Sequence, residues 1–216
     1  CTVVLDHWVK YRERFVRYGE WHWPDEVWVG DENAARIAAE TLPNIPQTLV
    51  PNAYLLDVSD KVRAFSSSDH RLNRGLNILY VCEPISDDGT VPRGDECDMG
   101  FTEFDALSYF LSNLSAFGAD VKRIVIRPHP KERLNKYHSV LKEFDLPLMW
   151  DNKNTLLDQI AESDIVAGCT TMAMVVGLVA GKRVVSCIPP GVKMAPLPQP
   201  EIASMSDLIA ARDPAE

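Results

Sequence analysis

Arg127, His129 and Lys131 stand at alternate positions in Arg127-Pro128-His129-Pro130-Lys131-Glu132, directly after the apolar run Ile124-Val125-Ile126. The two prolines fix φ and remove backbone donors, so neither a helix nor an inner strand continues through the segment. The pattern is a buried strand running into a locked turn that carries a guanidinium, an imidazole and an ammonium. In an open α/β sheet, ligands bind just beyond the carboxyl ends of the strands. Cationic and proton-carrying groups at such a point suit a phosphate-bearing ligand. The same residues also make a polar turn in which His129 satisfies a neighbouring backbone group, and short motifs match by chance often enough to keep that reading open.

A second constellation lies in Asp164-Ile165-Val166-Ala167-Gly168-Cys169-Thr170-Thr171-Met172. A strand ends at Gly168 and a helix begins at about Thr171. This gives two hydroxyls and free backbone N–H groups at a helix start, which is a ready site for phosphate. The plainer alternative makes Thr170 the helix N-cap. Taken together, the two segments could hold one phosphate or diphosphate. Arg127 and His129 would lie on one side, Thr170 and Thr171 on the other. Arginine offers forked donors, and histidine donates a hydrogen bond and can transfer a proton.

Other groups could stand at the same kind of edge. Asp6 and His7 follow the strand-like Thr2–Leu5 and could act as base or acid; the alternative is a helix-capping Asp beside a packed His. Glu83 and Ser86 follow Ile78–Cys82 and could line the cleft or form a polar loop. Asp87-Asp88-Gly89 reads as a surface turn, since Asp-Gly is a common turn pair. His22, His70 and His138 read as surface residues. Trp8, Trp21, Trp23 and Trp28 could stack sugars or pack as core. No His, Cys or Asp cluster has the spacing of a metal site, so no metal is expected.

The elements that must position these residues alternate from Leu76 onward. Strands are expected at 78–82, 124–126, 147–150, 165–168 and 184–188. Helices are expected at 104–114, 137–144, 155–162 (capped by Asn154), 171–180 (closed by Gly181) and 204–211. The fold class is α/β: a Rossmann-like parallel sheet with helices on both faces. The first 60 residues have strands at 2–5, 27–29 and 47–50 and a helix at 32–41. They read as part of a second α/β domain. The expected organisation is a partial N-terminal domain over residues 1–60, a linker over 61–75 inside the polar stretch from Asp57, and a domain over 76–216. The chain opens at Cys1, inside a strand-like run, and so reads as a fragment of a longer protein.

Composition narrows the function classes. The 216 residues carry 46% hydrophobic side chains and a net charge of −9, spread along the chain. That charge argues against nonspecific nucleic-acid binding, which rewards clustered Lys and Arg. The five cysteines form no CxxC pair, and Cys82, Cys169 and Cys187 sit in apolar strand contexts. Free thiols and a cytoplasmic location are expected. No apolar run approaches a membrane span and no signal peptide is visible.

Residues 76–200 resemble the C-terminal, nucleotide-binding half of GT-B glycosyltransferases, nearest to bacterial sialyltransferases, Kdo transferases and wall-polymer glycerophosphotransferases. The likeness rests on His129-Pro130 after a strand and on Thr170-Thr171 at a later helix start. The stretch Pro24–Asp31 followed by a helix is similar to the end of the N-terminal half. The resemblance implies transfer from a nucleotide-activated sugar, such as a CMP-linked acidic sugar, to a glycan acceptor in bacterial surface polysaccharide synthesis. It implies that His129 and the Thr170-Thr171 pair hold the nucleotide phosphate and that no cofactor is needed; Arg127, Lys131, Glu83 and Ser86 join them as nucleotide- or phosphate-binding candidates from their strand-end positions. Asp6 would serve as the base. The resemblance leaves room for peripheral association with membrane assembly machinery. The acidic-acidic-Gly base motif of many sialyltransferases has no match in the N-terminal part, and its role is not carried to Asp87-Asp88-Gly89. Two alternatives stay open: a non-catalytic nucleotide- or sugar-binding module or transferase remnant, and a nucleotide-sugar epimerase or hydrolase.

Overall fold

In Glu26-Val27-Trp28-Val29 the alternation of side chains buries Val27 and Val29 and leaves Trp28 partly outside, as a half-covered strand requires. The structure, a computed structural model, describes residues 1–65, 75–86, 99–133, 135–151 and 153–212. Among these, β1 (Thr2–Leu5), β4 (Glu26–Val29) and β5 (Gln47–Leu49) form a parallel sheet in the order β1-β4-β5. A small antiparallel hairpin, β2 (Val16–Arg17) and β3 (Glu20–Trp21), lies between β1 and β4 in sequence. Helix α1 (Glu32–Thr41) starts at Asp31, whose side chain accepts from Ala34 N and also takes the indole N–H of the buried Trp8 at 2.9 Å.

Helix α2 (Ala53–Phe65) occupies the start of the stretch expected as a linker. Val58, Ser59 and Val62 are buried along it, so residues 57–65 are ordered by packing rather than left as connector. The remaining expected linker residues, 66–74, lie outside the described residues. The chain divides into two compact units, Cys1–Asp57 with Leu197–Gln199, and Val58–Pro196 with Pro200–Glu216.

The larger unit is built on β6 (Leu76–Val81), β7 (Val121–Arg127), β8 (Leu148–Trp150), β9 (Ile165–Gly168), β10 (Arg183–Ser186) and β11 (Ala203–Ser204). Their order is β11-β10-β9-β6-β7-β8, and every neighbouring pair is parallel. Ile78, Leu79, Tyr80 and Val81 are all buried, as are all residues of β9. Both faces of the sheet are therefore covered, which explains why these strands read as continuous apolar runs. Helices α3 (Glu103–Ser112), α4 (His138–Leu141), α5 (Leu156–Glu162), α6 (Met172–Val179) and α7 (Met205–Arg212) make the connections. On one face, Tyr80, Leu107, Phe110, Ile124, Ile126 and Tyr137 form the centre of the core. The strand order is that of a Rossmann fold, and it reverses between β6 and β9.

Two local expectations are corrected. Helix α5 is capped by Thr155, not Asn154: Thr155 and Asp158 form a reciprocal capping box, which satisfies two backbone donors where Asn154 could satisfy one. Helix α4 is one turn rather than the two expected for 137–144, because Tyr137 is drawn into the core and the chain leaves the helix after Leu141. No described helix is long and apolar enough to cross a membrane.

Candidate functional site

Strand β9 ends at Gly168 for a steric reason. A Cβ there would lie 3.0 Å from the carbonyl oxygen of Val81 and 3.2 Å from Thr171 Cγ2. Glycine lets the β9–α6 turn press against the end of β6, and Gly177 lets α6 approach Val166 in the same way, with a Cβ there meeting Val166 Cγ2 at 2.9 Å. The turn delivers two threonines to different tasks. Thr171, not Thr170, is the N-cap of α6, its hydroxyl accepting from Ala173 N at 3.3 Å. Thr170 turns to β6 instead: its N–H donates to Glu83 Oε1 at 2.7 Å and its hydroxyl to Glu83 Oε2 at 3.0 Å. Glu83 and Thr170 thus meet where the strand order reverses, the position at which this fold class binds ligands. Burial pushes the Glu83 carboxyl up to about 7, against the lowering effect of the two Thr170 bonds, and nearby Glu132 adds to the rise.

On the other side of β6, β7 runs into the proline-locked turn. The ring Nδ1 of His129 accepts from Lys131 N at 3.2 Å, and the backbone N–H of His129 donates to Glu132 Oε2 at 2.8 Å. With Nδ1 accepting, the neutral imidazole carries its proton on Nε2 and presents a donor. Strands β9 and β7 flank β6, so the two turns are separated by two strand spacings, about 10 Å. Lys131 is exposed and lines an open cavity of about 620 Å³ with Glu132, Arg133, Asn135 and Lys136.

The turn is anchored by a buried ionic network. Lys136 pairs with Glu132 at 2.9 Å and with Glu103 at the start of α3. The exposure of the three side chains is 11%, 1% and 2% respectively, so the ammonium is needed to neutralise two desolvated carboxylates. Tyr137 donates its hydroxyl to Glu132 Oε1 at 2.6 Å. Glu103 also takes the N–H and the hydroxyl of Ser86, both at 2.8 Å. Burial raises Glu103, but the bonds from Lys136 and Ser86 outweigh it and hold the carboxyl below its ordinary range. The loops after β6 and β7 are thereby tied together.

Arg127 closes the far side. Its Nη1 donates to Gln159 Oε1 at 2.7 Å and to the Asn154 carbonyl at 3.0 Å. Gln159 in turn donates to the Asp151 carbonyl at 3.1 Å. Arg127 therefore braces the β8–α5 connection, a structural duty that its place in the motif did not suggest. Partial burial lowers its pKa, and Asp151 opposes the shift.

The smaller unit holds the remaining candidates. Asp6 follows β1 and accepts from Arg14 Nη1 at 2.9 Å, with His7 Nε2 at 3.9 Å. The Arg14 bond holds the Asp6 carboxyl below its usual value, so it is a charged but weakened base. Trp8 is core, while Trp21, Trp23 and Trp28 are partly exposed, and Trp21 stacks on Trp23 at 4.8 Å. His22 and His138 are exposed. The described cysteines Cys1, Cys82, Cys169 and Cys187 are free. Asp87-Asp88-Gly89, His70 and Cys97 lie outside the described residues.

Sequence reasoning missed Glu103, Glu132, Lys136, Tyr137 and Gln159. A partial signal was present: Glu132 and Lys136 stand at i and i+4, the spacing of an ion pair on one helical face.

No family model matches this chain, and no curated protein matches it. It is similar to two solved structures from Thermosulfurimonas dismutans. One is the KpsC beta Kdo 2,4 transferase, with 12% identity over 63% of this chain and 46% of that one, at a TM-score of 0.35. The other is the KpsC beta Kdo 2,7 transferase, with 20% identity over 74% and 52%, at a TM-score of 0.36. The chain spans about half the length of these structures.

Proposed function

We propose that the chain is part of a glycosyltransferase that takes a sugar from a nucleotide donor, in the synthesis of a bacterial surface polysaccharide. One observation carries the reading: the His129-Pro130 and Thr170-Thr171 turns follow strands on either side of β6, at the same edge of a Rossmann-ordered sheet. In the proposed reaction an acceptor hydroxyl attacks the anomeric carbon, and the bond to the nucleotide phosphate breaks. The charge that grows on the phosphate is met by the Nε2–H of His129, by Lys131 and by the start of α6, fixed donors of the kind that lower a barrier electrostatically. His129 holds the phosphate through that Nε2–H, which the neutral ring donates and keeps. Arg127 acts by bracing the edge through Gln159. A carboxylate takes the acceptor's proton, and Asp6 is the candidate.

The Asp6–Arg14 contact favours a second reading, a module that binds nucleotides without transfer, because a carboxylate held low is a poor base. The two share their first step. Calorimetric titration with CMP, UMP, CDP and UDP, each beside its nucleoside, tests it. Nucleotide binding without comparable nucleoside binding supports both readings, and turnover of a nucleotide sugar selects the first. Failure of every nucleotide to bind overturns both.

A further inference from the structure

Thr170 offers a backbone N–H and a hydroxyl at the point where the strand order reverses, and both are already taken by the two oxygens of Glu83. A carboxylate thus occupies donors of the type and position that suit a ligand's anionic oxygens. We infer that Glu83 is an internal substitute for the ligand phosphate: an incoming nucleotide phosphate displaces its carboxylate from Thr170, and the displaced carboxyl takes up one proton from solvent. This rests on the nucleotide-phosphate reading above and adds the proton to it.

The reason is charge. A phosphate at Thr170 stands against the end of β6, beside Glu83, and two like charges so close cannot both stay ionised in a desolvated site. The other ionisable groups that Glu83 feels do not relieve this. Glu132, from the turn after β7, raises it. Cys82, adjoining Glu83 after β6, and Cys169, after β9, are both coupled to it and are buried thiols held in the neutral form. Lys136 is bound to Glu132 and Glu103, so its charge answers theirs. The carboxyl already sits near neutrality at about 7, so little is needed to complete its protonation. No bond to carbon or phosphorus changes; one O–H forms on Glu83, and its proton comes from the buffer.

The test uses ligands whose phosphate cannot titrate, the 5′-methyl phosphodiesters of cytidine and uridine. Each is titrated into the whole chain at roughly pH 7.5, in two buffers of different ionisation enthalpy, and then across roughly pH 6 to 8.5. Wild type should take up between roughly half and one proton per ligand bound, and affinity should fall toward tenfold per pH unit above the Glu83 pKa. Glu83→Gln should bind with no proton uptake and a flat pH profile. If the Gln protein fails to fold, Glu83→Ala takes its place in the same comparison. Binding by wild type without proton uptake overturns the inference and spares the nucleotide reading. Uptake that persists in a folded Glu83→Gln protein also overturns it. Failure of both diesters to bind overturns the nucleotide reading and the inference with it.

Discussion

Glu132 accepts the backbone N–H of His129 at 2.8 Å, and the same carboxylate is held by Lys136 at 2.9 Å. The conformation of the proline-locked turn is therefore fixed by a buried ion pair four residues along the chain. Removing the ammonium leaves Glu103 and Glu132 buried without a counter-charge. Lys136→Met should destabilise the protein by about 3–5 kcal/mol, the usual cost of breaking a buried pair from one side. Glu132→Gln, which keeps an acceptor for His129 and Tyr137, should cost less. Urea denaturation of both variants checks the order, and a smaller loss for Lys136→Met would show that the network is not what holds the turn.

A glycine gives a contrast of opposite sign to helix propensity. Alanine at an interior helical position is ordinarily better than glycine by about 1 kcal/mol. At Gly177 a Cβ would lie 2.9 Å from Val166 Cγ2, on a strand buried along its whole length. Gly177→Ala should therefore be net destabilising, by about 1–3 kcal/mol of overpacking. Thermal unfolding decides it: an unchanged or raised Tm would mean that α6 shifts freely on β9.

Much of the larger unit was legible because its strands are covered on both faces. Runs such as Ile78–Val81 and Ile165–Gly168 carry the signal of burial in their composition alone, and the strand-end positions of His129 and Thr170 follow from them. The ionic network was not legible in the same way. Glu103 comes from a different segment than Glu132 and Lys136, and a charged residue read singly is assigned to solvent. Only the fold shows that their side chains converge. Helix α2 was missed because Asp57, Ser59, Asp60, Lys61 and Arg63 crowd its second half, and its buried positions Leu55, Val58, Ser59 and Val62 straddle the start of that polar stretch. The division of labour between Thr170 and Thr171 was hidden for a different reason. Adjacent threonines are equivalent to a capping rule, and the choice is made by Glu83, which lies far away in sequence.

The raised pKa of Glu83 makes a stability prediction separate from ligand binding. Its folded value, about 7, lies above the ordinary carboxyl value of 4.5. A carboxyl raised in this way favours the folded state while it is protonated in both states, below about pH 4.5. That advantage is lost as pH rises through about 7. Wild type should therefore lose stability relative to Glu83→Gln between roughly pH 5 and 8. The change should be on the order of 1–3 kcal/mol, at about 1.4 kcal/mol per pKa unit. Denaturation of both proteins across that range measures the difference. The slope is the test, since the amide also changes the Thr170 hydrogen bonds at every pH; parallel curves would place Glu83 at an ordinary carboxylate value.

The last prediction isolates the phosphate contact of His129. Its Nδ1 is engaged by Lys131 N, so the donor left to the neutral ring is Nε2–H. A hydrogen bond from that donor to an anionic oxygen contributes about 1.5–3 kcal/mol, or roughly ten- to a hundred-fold in affinity. Nucleoside binding has no phosphate to use it. His129→Ala should therefore weaken CMP or UMP by that factor and leave cytidine or uridine nearly unchanged. His129→Gln offers an amide donor in place of the ring and should recover part of the loss, which a purely structural role for the imidazole would not allow. Calorimetry of nucleotide against nucleoside in the three proteins measures the contrast. Equal losses for nucleotide and nucleoside would mean that His129 shapes the turn and does not touch the phosphate.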